Sequence, residues 1–128
     1  MVTNYPAQRL EMLGWDPVTL QERHSTLILT TILPFGWDSS QRDDHAHPMT
    51  TFAASSAAMR IGEPERNPLT VPLSSASYIG GISGAGATMA ALFGRQATGS
   101  GQHVDISEAE TLAMLWGGGI GMWQVTGD

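Results

Sequence analysis

The sequence predicts an α/β domain built on a few parallel strands with crossover helices, and three observations predict it. Residues 26–33, TLILTTIL, are β-branched and apolar on both parities in their first half, the pattern of a strand buried on both faces. Residues 102–106, QHVDI, form a second, shorter strand. Each is followed by a helical pattern, and strands alternating with helices give a parallel sheet. Such a sheet needs more than two strands and cover on both faces, so the 128 residues are expected to be part of an α/β domain rather than a whole one.

The elements follow in order. Residues 2–5 are extended, Pro6 opens a short helix and Gly14 stops it. Asp16 and Pro17 start a second helix, the carboxylate as cap and the proline in the first turn, running to about His24. After the 26–33 strand comes a polar loop, PFGWDSSQRDDHAH, ending at His47. Pro48 opens a helix expected over residues 49–61, ended by Gly62, and a loop with Pro64, Pro68 and Pro72 follows.

Residues 77–107, SYIGGISGAGATMAALFGRQATGSGQHVDIS, organise the chain. They divide into a small-residue helix, a turn at 98–101 and the second strand. Each glycine costs a helix about 1 kcal/mol against alanine, so a helix this glycine-rich persists where something packs close to its backbone. Ser107-Glu108-Ala109-Glu110 then reads as a capping box for a helix reaching about Trp116, where Gly117-Gly118-Gly119 follows. Residues 120–128 are compatible with one more short helix.

Composition narrows the function. A net charge of −6 with no lysine, and arginines spread singly, argues against nucleic acid and anionic membranes as partners. There is no cysteine, so thiolate and disulfide chemistry are excluded. The first fifteen residues lack a secretory signal pattern and no run approaches a membrane span, so the expectation is a cytoplasmic location.

Most chemistry-bearing residues have a plain structural reading beside them. The glycines at 84 and 86 miss the dinucleotide fingerprint, since position 89 is Met and they lie inside a helix. Asp43-Asp44-His45-Ala46-His47 reads as a polar loop; no metal is expected. His47 precedes Pro48 at the head of a helix, where the dipole acts on an imidazole, and is a candidate acid/base group. Ser77 and Ser107 are nucleophiles by residue type alone; neither sits in a G-x-S-x-G elbow, and capping accounts for Ser107. His103 reads as a strand side chain, and His24 as a cation at a helix end.

The segment AALFGRQATGSGQHVDIS resembles the signature of the class III CoA transferases, the family of formyl-CoA and carnitine CoA transferases. The resemblance extends over nearly the whole chain. It takes in Asn4-Tyr5-Pro6, Leu13-Gly14-Trp15-Asp16 with Leu20, Ile32-Leu33-Pro34-Phe35-Gly36, Ile61-Gly62-Glu63-Pro64 and Pro68. It implies a Rossmann-like large domain, of which this chain would be the second half, without the first strands and the small domain. It also implies two chains interlocked as rings, as a homodimer or with a homologous subunit. The substrates would be an acyl-CoA and a carboxylate, with Asn4, Tyr5, Phe35 and Gly36 toward the coenzyme. In that family an aspartate at the head of the small-residue helix attacks the thioester, forms a mixed anhydride and then carries CoA itself.

One position departs from the family pattern. The aspartate falls on Ser77, in Ala76-Ser77-Tyr78-Ile79, and a serine adduct would be an ordinary ester too stable to pass its acyl group back to CoA. An acidic position that follows the loop histidine in many members falls on Pro48. His47 itself aligns with the catalytic histidine of the related α-methylacyl-CoA racemases. Three readings follow: a CoA transferase using Ser77's surroundings or another carboxylate; a non-catalytic CoA-binding or structural subunit beside an active homologue; and racemase-like proton transfer through His47.

Overall fold

The computed structural model describes residues 1–63, 65–71, 74–115 and 118–127. Among these residues three parallel strands form one sheet in the order β1-β2-β3: β1 Val2–Thr3, β2 Leu29–Leu33 and β3 His103–Ser107. Val2 pairs with Thr30, and Leu29, Thr31 and Leu33 pair with His103, Asp105 and Ser107. The extended segment at the start of the chain is therefore a third strand of the sheet.

β2 begins three residues later than its apolar run. Ser25 and Thr26 are held instead by the end of the long helix and the turn after it: Gly101 N–H donates to Ser25 O at 2.8 Å and Arg95 Nη1 to Thr26 O at 2.9 Å. A Cβ on Gly101 would fall on the Leu27 carbonyl. The turn residues thus brace two backbones against each other, and only glycine fits the closest point.

Helix α1, Ala7–Leu13, ends at Gly14 in the left-handed conformation (φ 64°), and α2, Pro17–Arg23, is capped by Asp16, whose Oδ1 accepts from Thr19 N–H at 2.9 Å. That bond lowers the Asp16 carboxyl below its ordinary value of 3.8. The loop 34–47 is tied to α1 by Arg42, which bonds Glu11 at 2.7 Å, and by Asp43, which accepts from Gln8 N–H at 3.2 Å.

The helix expected over residues 49–61 is two pieces. Helix α3 spans Pro48–Ala54, and a 3-10 turn covers Ala57–Arg60. Ser55 Oγ donates to Phe52 O at 2.7 Å and accepts from Ala57 N–H at 3.3 Å, while Ser56 takes φ 65°. The Ser55 hydroxyl competing for backbone groups, with Ser56 in the left-handed conformation, ends the helix there. Of the loop that follows, Pro64 and Pro72 lie outside the described residues.

Helix α4, Ser75–Thr98, starts two residues before Ser77 and covers one face of the sheet. Its contacts come at four-residue spacing. The absent Cβ of Gly84 would lie 2.9 Å from Ile32 Cδ1, that of Gly80 3.4 Å from Ile32 Cγ2, and Thr88 Oγ1 meets Thr30 Oγ1 at 2.7 Å. Gly81, Gly86 and Gly94 have nothing within 4 Å at the same test. Close packing therefore explains Gly80 and Gly84, not the whole set.

Helix α5, Glu108–Leu115, follows β3 directly, with Ser107 Oγ accepting from Glu110 N–H at 3.2 Å, the hydroxyl half of the expected capping box. Trp116 and Gly117 lie outside the described residues, and Gly118 and Gly119 belong to the last helix, α6, Gly118–Thr126. A core of Phe52, Ala57, Ala76 and Leu112 joins α3, the 3-10 turn, α4 and α5. No helix among the described residues is long and apolar enough to cross a membrane.

Candidate functional site

In a parallel sheet the chain leaves each strand at the carboxyl edge, and that is where α/β proteins place ligands. Here the edge gathers Asn4 after β1, Pro34 to Trp37 after β2, and Ser107 with Glu108 at the end of β3. The head of α4 lies beside them. A cleft of about 280 Å³ opens at this point, lined by Val2, Thr3, Asn4, Ile32, Ser77, Gly81 and Glu108.

Ser77 sits in the first turn of α4 and is exposed. Its side chain lines the cleft beside Glu108, close enough to bear on that carboxyl. Glu108 is half-buried, and burial pushes its carboxyl above the ordinary value of 4.5, with the Ser77 hydroxyl acting in the opposite sense. Its stem lies against Gly80: a Cβ there would come within 3.0 Å of Glu108 Cγ. Glu108 is the one titratable side chain among the described residues lining this cleft.

Sequence reasoning missed Glu108 because residues 107–110 were accounted for by helix capping. The available signal was its place: a glutamate between buried Ser107 and Ala109, on the first residue after a strand. Such a residue stands at the carboxyl edge by topology.

The loop after β2 is fastened from below. Asp105 Oδ2 accepts from Trp37 N–H at 2.6 Å, and Asp105 Oδ1 accepts from Thr31 Oγ1 at 3.0 Å. Gly36 has φ 81°, and a Cβ there would lie 3.2 Å from Asp105 Oδ2 and 3.3 Å from Ser107 Cβ. His103 Nε2 meets Thr31 Oγ1 at 2.8 Å; since that hydroxyl donates to Asp105, the imidazole donates to it. The His103 ring also stands edge-on to Trp37, at 5.7 Å between centroids. Burial holds the His103 imidazole below its ordinary value of 6.5, against the pull of Asp105 and Asp38.

The other residues singled out in the sequence lie as follows. Asn4 shares the cleft with Ser77, while Tyr5 is exposed beyond it. Phe35 and Gly36 occupy the fastened loop at the same sheet edge. His47 caps α3: its Nδ1 accepts from Met49 N–H at 3.3 Å, and its backbone N–H is held by Thr50 Oγ1 at 2.9 Å. It is not among the described residues lining the cleft. Among the described residues no group of three His, Asp or Glu side chains is placed to hold a metal ion.

The arrangement offers a carboxylate, a hydroxyl and a carboxamide in one open cleft. Solved structures share the fold. A CAIB/BAIF family protein from Brucella suis superposes with a TM-score of 0.90 at 22% identity, covering 99% of this chain and 34% of that one. A variant of Rv3272 from Mycobacterium tuberculosis gives 0.84 at 20% identity, over 98% of this chain and 35% of that one. Rv3272 in an orthorhombic form gives 0.82 at 21%, over 94% and 34%. The chain thus spans about a third of the length of the solved structures it matches. The family model of CoA-transferase family III matches residues 1–128 from end to end, and the chain belongs to that family.

Proposed function

We propose that this chain is the second half of a Rossmann-like large domain in an enzyme that moves CoA between an acyl-CoA and a carboxylic acid. The observation that carries the reading is the cleft at the sheet's carboxyl edge, where a carboxylate, Glu108, stands beside the serine at the family's aspartate position. CoA transfer conserves thioester energy through covalent intermediates on a carboxylate, and a cleft that holds one meets the first requirement. Phe35 and Gly36, on the loop fastened to Asp105, are the expected coenzyme contacts, with Asn4 and Tyr5 at the end of β1. The working enzyme would be a dimer, of this protein or with a homologous subunit, in the cytoplasm.

A second reading follows from the resemblance, which sets Ser77 where the family has its aspartate: a non-catalytic CoA-binding or structural subunit. Proton transfer through His47 has less support. Its Nδ1 is taken by the Met49 N–H, and it stands off the cleft wall. The test is exchange in the full-length protein, using acetyl-, propionyl- and succinyl-CoA with isotopically labelled acetate, propionate and succinate. Label appearing in acyl-CoA supports transfer. CoA binding without exchange favours the subunit, and deuterium uptake at the acyl α-carbon that disappears in His47→Ala favours proton transfer.

A further inference from the structure

The geometry points to Glu108 as the nucleophilic carboxylate of this chain, set at the head of α4 beside Ser77. The inference rests on the transfer reading and supplies the group that reading needs. Three independent features converge on the side chain. It is the one titratable group among the described residues of the cleft. The helix has a glycine where Glu108 Cγ lies, and a Cβ at Gly80 would crowd it at 3.0 Å. The third is the Ser77 hydroxyl, which lines the same cleft from the position where a nucleophile is expected. Incomplete hydration, expressed in the raised carboxyl, leaves the ionised form less stabilised by water and readier to attack.

The same pair has one other chemical use, with Glu108 as base and Ser77 as nucleophile. That route ends on a serine ester, which has lost the activation needed to return an acyl group to a thiol. A carboxylate nucleophile keeps it. A Glu108 oxygen attacks the thioester carbonyl carbon, the C–S bond breaks, and CoA leaves as the thiolate from an acyl-glutamyl anhydride. The thiolate attacks the glutamyl carbonyl carbon, the bond to the acyl carboxylate breaks, and Glu108 carries CoA as a thioester. The acceptor carboxylate attacks that thioester and frees the thiolate, which takes the new acyl group from the anhydride and restores Glu108. Each step exchanges one anionic nucleophile for one anionic leaving group, so no proton, oxidant or further reactant is required.

The test maps the adduct in the full-length protein. It is incubated with acetyl-, propionyl- and succinyl-CoA, quenched with hydroxylamine and digested, and its peptides are sequenced by mass spectrometry. A hydroxamate on Glu108 is expected with at least one thioester. A hydroxamate on another carboxylate, or none with any of the three, overturns the assignment. Glu108→Gln is expected to lower exchange by roughly a thousandfold or more, and exchange retained in that variant also overturns it. Ser77→Ala removes a hydroxyl that favours the ionised form, so the acid limb of the pH–rate profile moves to higher pH; an unmoved limb denies Ser77 its positioning role. Exchange without a Glu108 adduct leaves CoA transfer standing and removes only the nucleophile. Absence of both exchange and CoA binding removes the transfer reading itself.

Discussion

The Cβ that Gly80 lacks would lie 3.0 Å from Cγ of Glu108. The relationship joins a long helix, chosen against its own propensity, to a carboxylate on the next helix. One residue along, Gly81 has nothing within 4 Å although it lines the same cleft. Two neighbouring glycines therefore make opposite predictions. Gly81→Ala gains helix propensity without a steric cost and is expected to stabilise by about 1 kcal/mol. Gly80→Ala gains the same propensity but pushes on Glu108, so its stability change should be near zero while CoA exchange falls. Thermal unfolding and exchange assays on both variants decide the matter. Equal stability gains with equal activities would show that Glu108 does not depend on the space at Gly80.

Ser77→Asp places a carboxylate where the family resemblance expects one but sets it beside Glu108. Two carboxylates in one site cannot both ionise freely, so one retains a proton into a higher pH range. The single variant is therefore expected to work poorly at neutral pH. Adding Glu108→Gln replaces the second charge with a neutral partner, and the double variant should recover exchange well above Glu108→Gln alone. A double variant as inert as Glu108→Gln would show that a carboxylate at position 77 is wrongly aimed in this chain.

Two perturbed groups give the fold opposite pH dependences. Glu108 is raised above 4.5 in the folded state, so its contribution to stability is full below about pH 4.5 and is lost as pH rises through the folded value. His103 is lowered below 6.5, so its contribution is full above about pH 6.5 and is lost as pH falls through the folded value. Glu108→Gln should raise the melting temperature more at about pH 7 than at about pH 4. His103→Gln should flatten the loss on the acid side. A Glu108→Gln increment independent of pH would show that burial places no strain on this carboxylate.

Much of the architecture was legible from the residues, and the reasons are local. Pro6 with Gly14, Asp16 with Pro17, and Pro48 mark helix ends through backbone chemistry that tertiary context did not override. The start of β2 was not legible, because Ser25 and Thr26 satisfy their carbonyls through Gly101 and Arg95, some seventy residues away. The break at Ser55 and Ser56 had a visible signal in the serine pair, but the apolar run around it read as one helix. At the site, Asn4 and Ser77 came from family resemblance, whereas Glu108 is placed by topology alone. Its own neighbours in sequence explain it fully as part of a helix start.

The signature segment that carries the family resemblance is mostly a brace. Arg95, Gly101 and Asp105 each hold backbone that is distant in sequence, and Asp105 bears on the site because it fixes the Phe35-Gly36-Trp37 turn. Its two oxygens accept from two donors, Thr31 Oγ1 and Trp37 N–H. Asn has one acceptor oxygen, so Asp105→Asn turns an amide N–H toward one of those donors. The expected cost is about 1 kcal/mol, since one hydrogen bond is lost while Thr31 Oγ1 keeps the His103 ring and an exposed Trp37 N–H can turn to water. If the turn carries the coenzyme contacts, affinity for CoA falls with it, and CoA at high concentration recovers part of the lost melting temperature. Calorimetric titration of CoA into wild type and Asp105→Asn measures the first effect, and melting with and without CoA the second. A variant that is destabilised but binds CoA as tightly as wild type would detach the Phe35-Gly36 turn from the coenzyme and leave Asp105 a purely structural tie.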